Sequence, residues 1–392
     1  MRTENIYGLI KSSNCMPNIF IASDNIISPI GFTTAENFSN LSKNISGVKL
    51  HSDTTLSEQP FYASLFDKEI KLIKDKTAIS YTKFEKLLIA SIGGALENSG
   101  IDCSDKKTVL IISSTKGNID LLETHAFDPE LKQRIALHTS AKLVAGYFGF
   151  VNQPFVVSNA CISGILGIVT GKRLIESGQY ENVVVAGADV ISKFILSGFQ
   201  SFQAISPEPC KPFDINRKGI NLGEGAGTVI LSSHSKYAES IKVKGASVGN
   251  DANHISAPSR TGEELGYVIK TAMAGSSFTA VDIDFISAHG TATLYNDEME
   301  AKAITAAGLA SVPVNSLKGY YGHTLGAAGL IESIISIQSL KENRVLPTRG
   351  FEQMGLEAPV NINQAIIQTP LKTCVKTASG FGGCNAAVVF SK

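Results

Sequence analysis

The sequence predicts an α/β fold with mainly parallel sheets covered on both faces. Three observations predict it. Strand-like and helix-like segments alternate along the 392 residues, as parallel sheets with crossover helices require. Several strand segments, such as Thr108-Val109-Leu110-Ile111-Ile112 and Asn182-Val183-Val184-Val185-Ala186-Gly187, are continuously apolar, which suits strands buried on two sides. There is also an internal echo. The turn around Cys161 and the turn Gly322-His323-Thr324-Leu325-Gly326-Ala327-Ala328-Gly329 each lead into an apolar helix rich in small residues. They lie about 160 residues apart, near half the chain, which suggests duplication.

The elements follow in order. Asn18 to Ser23 reads as a strand, with a turn at Ser28-Pro29-Ile30-Gly31. Thr34 to Leu41 reads as a short helix capped by Thr33 or Thr34. Residues 43–77 are mixed and polar and read as loops with short elements. Thr82 to Asn98 is an amphipathic helix whose Phe84, Leu87, Leu88, Ile92 and Ala95 share a face. Ala141 to Phe148 reads as helix, and Phe155-Val156-Val157 as a strand entering the Cys161 turn. Further strands are expected at Thr228–Leu231, Ile241–Gly245, Asp284–Ser287, Val312–Asn315 and Ala386–Phe390. Further helices are expected at Glu263–Ala274, Glu298–Ala307 and Gly326–Leu340. Leu143 to Gly171 carries no charge, but Asn152, Gln153, Pro154, Ser158 and Asn159 interrupt it. A buried strand followed by a buried helix accounts for it better than a membrane span.

Composition excludes several functions. Lys+Arg and Asp+Glu both number 35, so no charge-driven affinity for nucleic acid or membrane follows. Six cysteines are scattered without CxxC spacing, which implies neither a zinc site nor a disulfide framework and makes a reducing cytoplasm the expected compartment. Met1 to Cys15 has no secretory pattern, and Met16 is an alternative start, so residues 1–15 read as an N-terminal extension.

The chemistry centres on Cys161. A thiol at a helix start faces unpaired N–H groups and the positive end of the helix dipole, which favour thiolate. Two of the seven histidines, His289 and His323, sit in glycine-flanked turns after short strands. Cysteine with histidine is the minimum for covalent acyl chemistry. His51, His125, His138, His234 and His254 lie in polar surroundings and read as structural. Lys318 precedes His323 by five residues, and Glu300 and Glu332 sit on apolar helices, where a charge needs a partner. The glycine-rich Gly223-Glu224-Gly225-Ala226-Gly227 and Gly380-Phe381-Gly382-Gly383 fail as nucleotide loops. They suit close backbone packing, or one half of an oxyanion hole.

Taken together, these motifs resemble the β-ketoacyl-acyl-carrier-protein synthases. The resemblance spans nearly the whole chain. Its motifs, in order, are Asn159-Ala160-Cys161, Lys211-Pro212-Phe213-Asp214 with Arg217 and Gly223–Gly227, His289-Gly290-Thr291-Ala292-Thr293 with Asp297 and Glu300, Lys318 with Gly322-His323, Leu325–Gly329 and Glu332, and Gly380–Gly383. The resemblance implies a thiolase-like fold, five-layered α-β-α-β-α, with two pseudo-duplicated halves: residues 16–235 carrying the nucleophile and 236–392 carrying the histidines. It implies that Cys161 takes an acyl group as a thioester and that His289 and His323 promote decarboxylation of a malonyl thioester, whose carbanion attacks the acyl group. It implies an oxyanion hole of the Cys161 and Phe381 N–H groups, with Phe381 as a gate. Lys318 and Glu332 would hold the histidines, with Asp297 and Glu300 in support, and Thr291 and Thr293 would bind phosphopantetheine. No metal and no held cofactor are implied. The partners implied are an acyl carrier protein and a second subunit, as homodimer or heterodimer.

The departures are Ile162-Ser163-Gly164 after the nucleophile, Ser114–Asn118 with Lys116 at an acyl-pocket segment, and Cys384 at a position usually threonine. Three other readings stay open. A thiolase would need a second cysteine where Phe381 stands. A non-catalytic partner subunit would be expected to lack the nucleophile. A cysteine hydrolase would leave the ordered motifs unexplained.

Overall fold

The computed structural model describes residues 17–67, 72, 79–97 and 99–392. The extension read at residues 1–15 lies outside them, as does Asn98, the expected end of the first long helix.

Two sets of five strands repeat one programme. The first is β1 (Phe20–Ile27), β2 (Thr108–Ser113), β3 (Phe155–Val157), β4 (Asn182–Asp189) and β5 (Gly225–Ser232). The second is β6 (Lys242–Asn250), β7 (Phe285–Ser287), β8 (Val314–Asn315), β9 (Thr373–Gly380) and β10 (Cys384–Ser391). Their spatial orders are β3-β2-β4-β5-β1 and β8-β7-β9-β10-β6, the same order five strands on. In each set the first three strands are parallel and the last two join antiparallel. The sets meet where Phe20 of β1 pairs with Lys242 of β6.

Half of the neighbours in each set are thus antiparallel, against the expectation of mainly parallel sheets. The reason is local. β9 returns directly into β10 through Phe381-Gly382-Gly383, where both glycines have positive φ, and a turn that tight permits only antiparallel pairing. β9 itself was not read from the sequence, because Lys376 interrupts its apolar pattern.

The helices of eight or more residues among the described residues are α1 (Thr34–Ser42), α2 (Lys83–Leu96), α3 (Leu137–Phe148), α4 (Ser163–Glu176), α5 (Lys193–Ser201), α6 (Glu263–Gly275), α7 (Leu294–Ala306) and α8 (Ala328–Glu342). α2 begins in a capping box, Thr82 with Glu85, which fixes its start. α7 begins four residues earlier than its apolar pattern, so Asp297 lies in its first turn. α8 begins two residues later than expected, after a single 3₁₀ turn at Leu325–Ala327.

Alternate residues of the strands face different layers. Val109, Ile111, Val183 and Val185 point to the core holding α4 and α8, while Leu110, Ile112, Val184 and Ala186 point to α2 and α3. On the second sheet Cys374, Val388 and Phe390 face α8, while Val375, Ala387 and Val389 face α6 and α7. The result is α-β-α-β-α. α4 and α8, the echoed segments, form the middle layer. A Cβ on Gly164 would lie 2.5 Å from the Leu330 nitrogen, and one on Gly329 would lie 2.8 Å from Ile165. Glycine at both places lets the two helices touch backbone to side chain. One expectation fails at β3. Phe155 and Val156 are each 36 % exposed, because β3 is an edge strand rather than a buried one.

Candidate active site

Cys161 sits at the end of the turn between β3 and α4. Ala160 holds a left-handed conformation (φ 42°), which throws the next side chain outward from the strand–helix corner. Ser163 fixes this turn: its hydroxyl donates to the Ala160 carbonyl (2.6 Å) and accepts from the Asn159 N–H (2.8 Å). Burial opposes the helix-start preference for thiolate. Burial pushes the Cys161 thiol up to about 12, the Cys384 thiol adds to this, and the Lys318 ammonium only partly opposes it.

His323 comes from the turn before α8. Its N–H donates to the Asn221 carbonyl (2.7 Å), and its carbonyl accepts from the Gly223 N–H (3.1 Å). The Gly223–Gly227 motif therefore anchors the histidine turn. Its imidazole Nε2 lies 3.1 Å from the Cys161 sulfur. Nδ1 accepts from the Leu325 N–H (3.2 Å), so in the neutral ring the proton sits on Nε2, facing the sulfur. His289 ends β7 and meets His323 edge-on, with ring centroids 5.2 Å apart at 81°. Its Nδ1 has no hydrogen-bond partner among the described residues. Burial first, then the Lys318 and Lys376 ammonium groups, hold both imidazoles well below the usual histidine range, so both are neutral.

Charged residues stand behind the histidines. The Lys318 ammonium donates to the His289 carbonyl (3.0 Å) and to Glu332. Glu300 accepts from the N–H groups of His289 and Gly290, both at 2.7 Å, and from the Thr377 hydroxyl (2.6 Å). Asp297 accepts from the N–H groups of Phe213 (2.7 Å), Thr291 (2.8 Å) and Ala292 (3.0 Å), tying the Lys211–Asp214 segment to the His289 turn. Burial raises the Asp297 carboxyl to about 6 despite these bonds.

The closing loop completes the set. The Phe381 N–H reaches the Cys161 sulfur. A Cβ on Gly380 would stand 3.0 Å from the Cys161 nitrogen, so the loop approaches this closely only as glycine. The Phe381 ring is 40 % exposed, stacks on Phe199 (5.9 Å) and meets Phe202 edge-on (5.7 Å).

One cavity of about 620 Å³ is lined by Cys161, His289, His323, Thr291, Thr293 and Phe381 together. Lys318, Glu332, Glu300 and Asp297 are buried behind its wall. The Thr291 and Thr293 hydroxyls lie 2.9 Å apart on one side. Lys116 is exposed and does not line the cavity, and Cys384 lies under the loop, donating toward the Phe381 carbonyl (3.5 Å). The Cys161 sulfur and one nitrogen from each histidine lie within 4.8 Å of one another. Two buried lysines beside them make this a poor place for a dication and a good one for developing negative charge.

Sequence reasoning missed Lys376 and Asp189. Asp189, at the end of β4, accepts from the Ser114 hydroxyl (2.7 Å) and the Gly326 N–H (2.7 Å), joining the two halves beneath His323. The signal in each case was a lone charge in an apolar strand.

Residues 21–237 match the family described as beta-ketoacyl synthase, N-terminal domain, and residues 240–352 match beta-ketoacyl synthase, C-terminal domain. The 3-oxoacyl-[acyl-carrier-protein] synthase 2 of Vibrio cholerae is 30% identical over 95% of this chain and 99% of its own. Among solved structures, the ishigamide ketosynthase/chain length factor aligns with a TM-score of 0.87 at 23% identity, over 96% of this chain and 99% of that one. A ketosynthase solved with its type II polyketide acyl-carrier protein and bound to the hexaketide aligns with a TM-score of 0.83 at 20% identity, over 96% and 99%. No helix among the described residues is long and apolar enough to cross a membrane. With two ordered domain matches and a near-full-length relative, the chain belongs to the β-ketoacyl synthase family.

Proposed function

We propose that the protein is a 3-oxoacyl-[acyl-carrier-protein] synthase, an acyltransferase that joins an acyl group on Cys161 to a malonyl thioester in fatty-acid or polyketide synthesis. The observation that carries this is the shared cavity, in which Cys161, two neutral imidazoles and the Phe381 loop face one space.

In the first step the sulfur attacks the acyl thioester carbonyl. The N–H groups of Cys161 and Phe381 hold the oxyanion, and the carrier thiol leaves with a proton. His289 receives the Cys161 proton, since its Nδ1 is uncommitted while the His323 tautomer is fixed as an Nε2–H donor, and it passes that proton to the departing carrier thiolate, returning to the neutral ring. In the second step the malonyl carboxylate leaves as carbon dioxide. The bonding pair passes to the thioester oxygen, held by the Nε2–H of His323 and by His289. The enolate carbon then attacks the acyl carbonyl and the Cys161 thiolate departs. Thr291 and Thr293 hold the pantetheine arm, and Phe381 with Phe199 and Phe202 closes the cavity. No metal and no bound cofactor take part, because the thioester itself accepts the electrons.

The partner is an acyl carrier protein. Support comes from the relative solved with its carrier protein. The chain pairs with a second subunit through β3, whose exposed Phe155 and Val156 leave an apolar sheet edge open. We assign a homodimer, with a heterodimer as the second reading because the ishigamide structure pairs a ketosynthase with a chain length factor. The protein works in the cytoplasm, consistent with its scattered free cysteines.

Mixing the protein with an acyl carrier-protein thioester and malonyl carrier protein is expected to give a β-ketoacyl carrier protein and carbon dioxide. Absence of both would contradict the assignment. Sedimentation of the same preparation at micromolar concentration is expected to show a dimer, and a monomer would remove the β3 pairing.

A further inference from the structure

Glu332 is shared by two buried lysines. Lys318 holds one oxygen of its carboxylate. Lys376, in the middle of β9, is completely buried and contacts the other oxygen of the same carboxylate at 2.7 Å. Its ammonium donates to the carbonyls of Ser287 (3.1 Å) and Ala288 (3.0 Å). The next carbonyl, that of His289, is taken by Lys318. Three successive carbonyls entering the histidine turn are therefore held by two ammonium groups bridged by one carboxylate. From the other side of β9, Thr377 reaches Glu300, which holds the N–H groups of the same turn.

We propose that Lys376 is a positioning residue of this site: a second buried ammonium that holds the His289 turn by its carbonyls and, through Glu332, fixes Lys318 beside the two imidazoles. The proposal rests on the functional reading above and adds to it. A buried lysine with no structural alternative would be a liability, since desolvation opposes its charge. Its use here is electrostatic. It adds positive potential behind the ring pair, where an enolate oxygen would form, and it disfavours protonation of His289 and His323. A protonated imidazole would pair with the malonyl carboxylate and oppose its loss as carbon dioxide, so keeping both rings neutral extends decarboxylation to lower pH.

The charged and titratable groups around the ring pair are Lys318 and Lys376, Glu332 between them, Glu300 on the backbone of the His289 turn, and Cys161 at the His323 Nε2. Of these, Lys318 and Lys376 are the cations that push both imidazoles downward. Removing Lys376 withdraws one of them and leaves Glu332 with a single counter-charge. Both changes raise the imidazole pKa.

The test compares wild type with Lys376→Gln, Lys376→Met and Lys376→Arg. Imidazole titrations by NMR on the substrate-free protein are read beside pH profiles of malonyl decarboxylation. In the neutral variants His289 and His323 are expected to titrate about one pH unit higher, and the acid limb of decarboxylation to rise with them. Arginine is expected to restore both. Glutamine can still donate to the Ser287 and Ala288 carbonyls, so it separates charge from the loss of those bonds. A neutral variant slowed equally at every pH, with unmoved titrations, would overturn the proposal. So would failure of every neutral variant to give a folded protein with the shift. A wild type that never decarboxylates malonyl thioester would remove the functional reading instead, while the titrations would still report on Lys376.

Discussion

Replacing Cys161 with glutamine is expected to abolish condensation, by about 10³-fold or more, while malonyl decarboxylation continues. The side-chain amide has no nucleophilic sulfur, so no acyl thioester forms. Its carbonyl can occupy the place of the acyl oxygen, near the N–H groups of Cys161 and Phe381. The histidine pair is untouched: His323 keeps its Asn221, Gly223 and Leu325 bonds, and His289 keeps Glu300 and Lys318. Carbon dioxide release and β-ketoacyl formation, measured on one preparation, separate the two half-reactions. Condensation at the wild-type rate would show that Cys161 is not the nucleophile. Loss of both would show that the sulfur, rather than the imidazoles, governs decarboxylation.

Gly223→Ala is expected to destabilise the protein by on the order of 3 kcal/mol and to depress decarboxylation with it. An added Cβ would stand 1.9 Å from the Tyr321 carbonyl oxygen. That oxygen is backbone and cannot rotate away. Relief requires moving residues 321–323, whose His323 carbonyl is bonded to the Gly223 N–H itself. The two losses are coupled through one turn, so a lowered melting temperature should accompany slower carbon dioxide release. A variant as stable and as active as wild type would mean that the His323 turn tolerates displacement, and that the Gly223–Gly227 motif does not position it.

Cys161, His289 and His323, which meet in one cavity, were legible because they sit in turns with distinctive neighbours. His289 and His323 stand among glycines and threonines, and Cys161 follows Asn159-Ala160 at a strand–helix corner. The middle layer was legible as the echo of two small-residue helices, because Gly164 and Gly329 are needed where they touch. Other features were not legible, for physical reasons. Lys376 sits in a strand whose neighbours are apolar, and a single lysine there reads as an interruption until Glu332 is seen across the core. Asp189 acts on Gly326, 137 residues away, through a contact that only the tertiary fold creates. Burial of the Cys161 thiol, which opposes the helix-end field, was not visible in the sequence. The exposure of Phe155 and Val156 follows from strand order, which composition does not encode.

The most direct measurement is intact-protein mass spectrometry during turnover. Incubated with an acyl carrier-protein thioester alone, the protein should gain the mass of one acyl group, and peptide mapping should place it on Cys161. Addition of malonyl carrier protein should discharge that adduct into a β-ketoacyl carrier protein longer by two carbons. An unmodified Cys161, or an adduct that persists after malonyl carrier protein is added, would contradict the account.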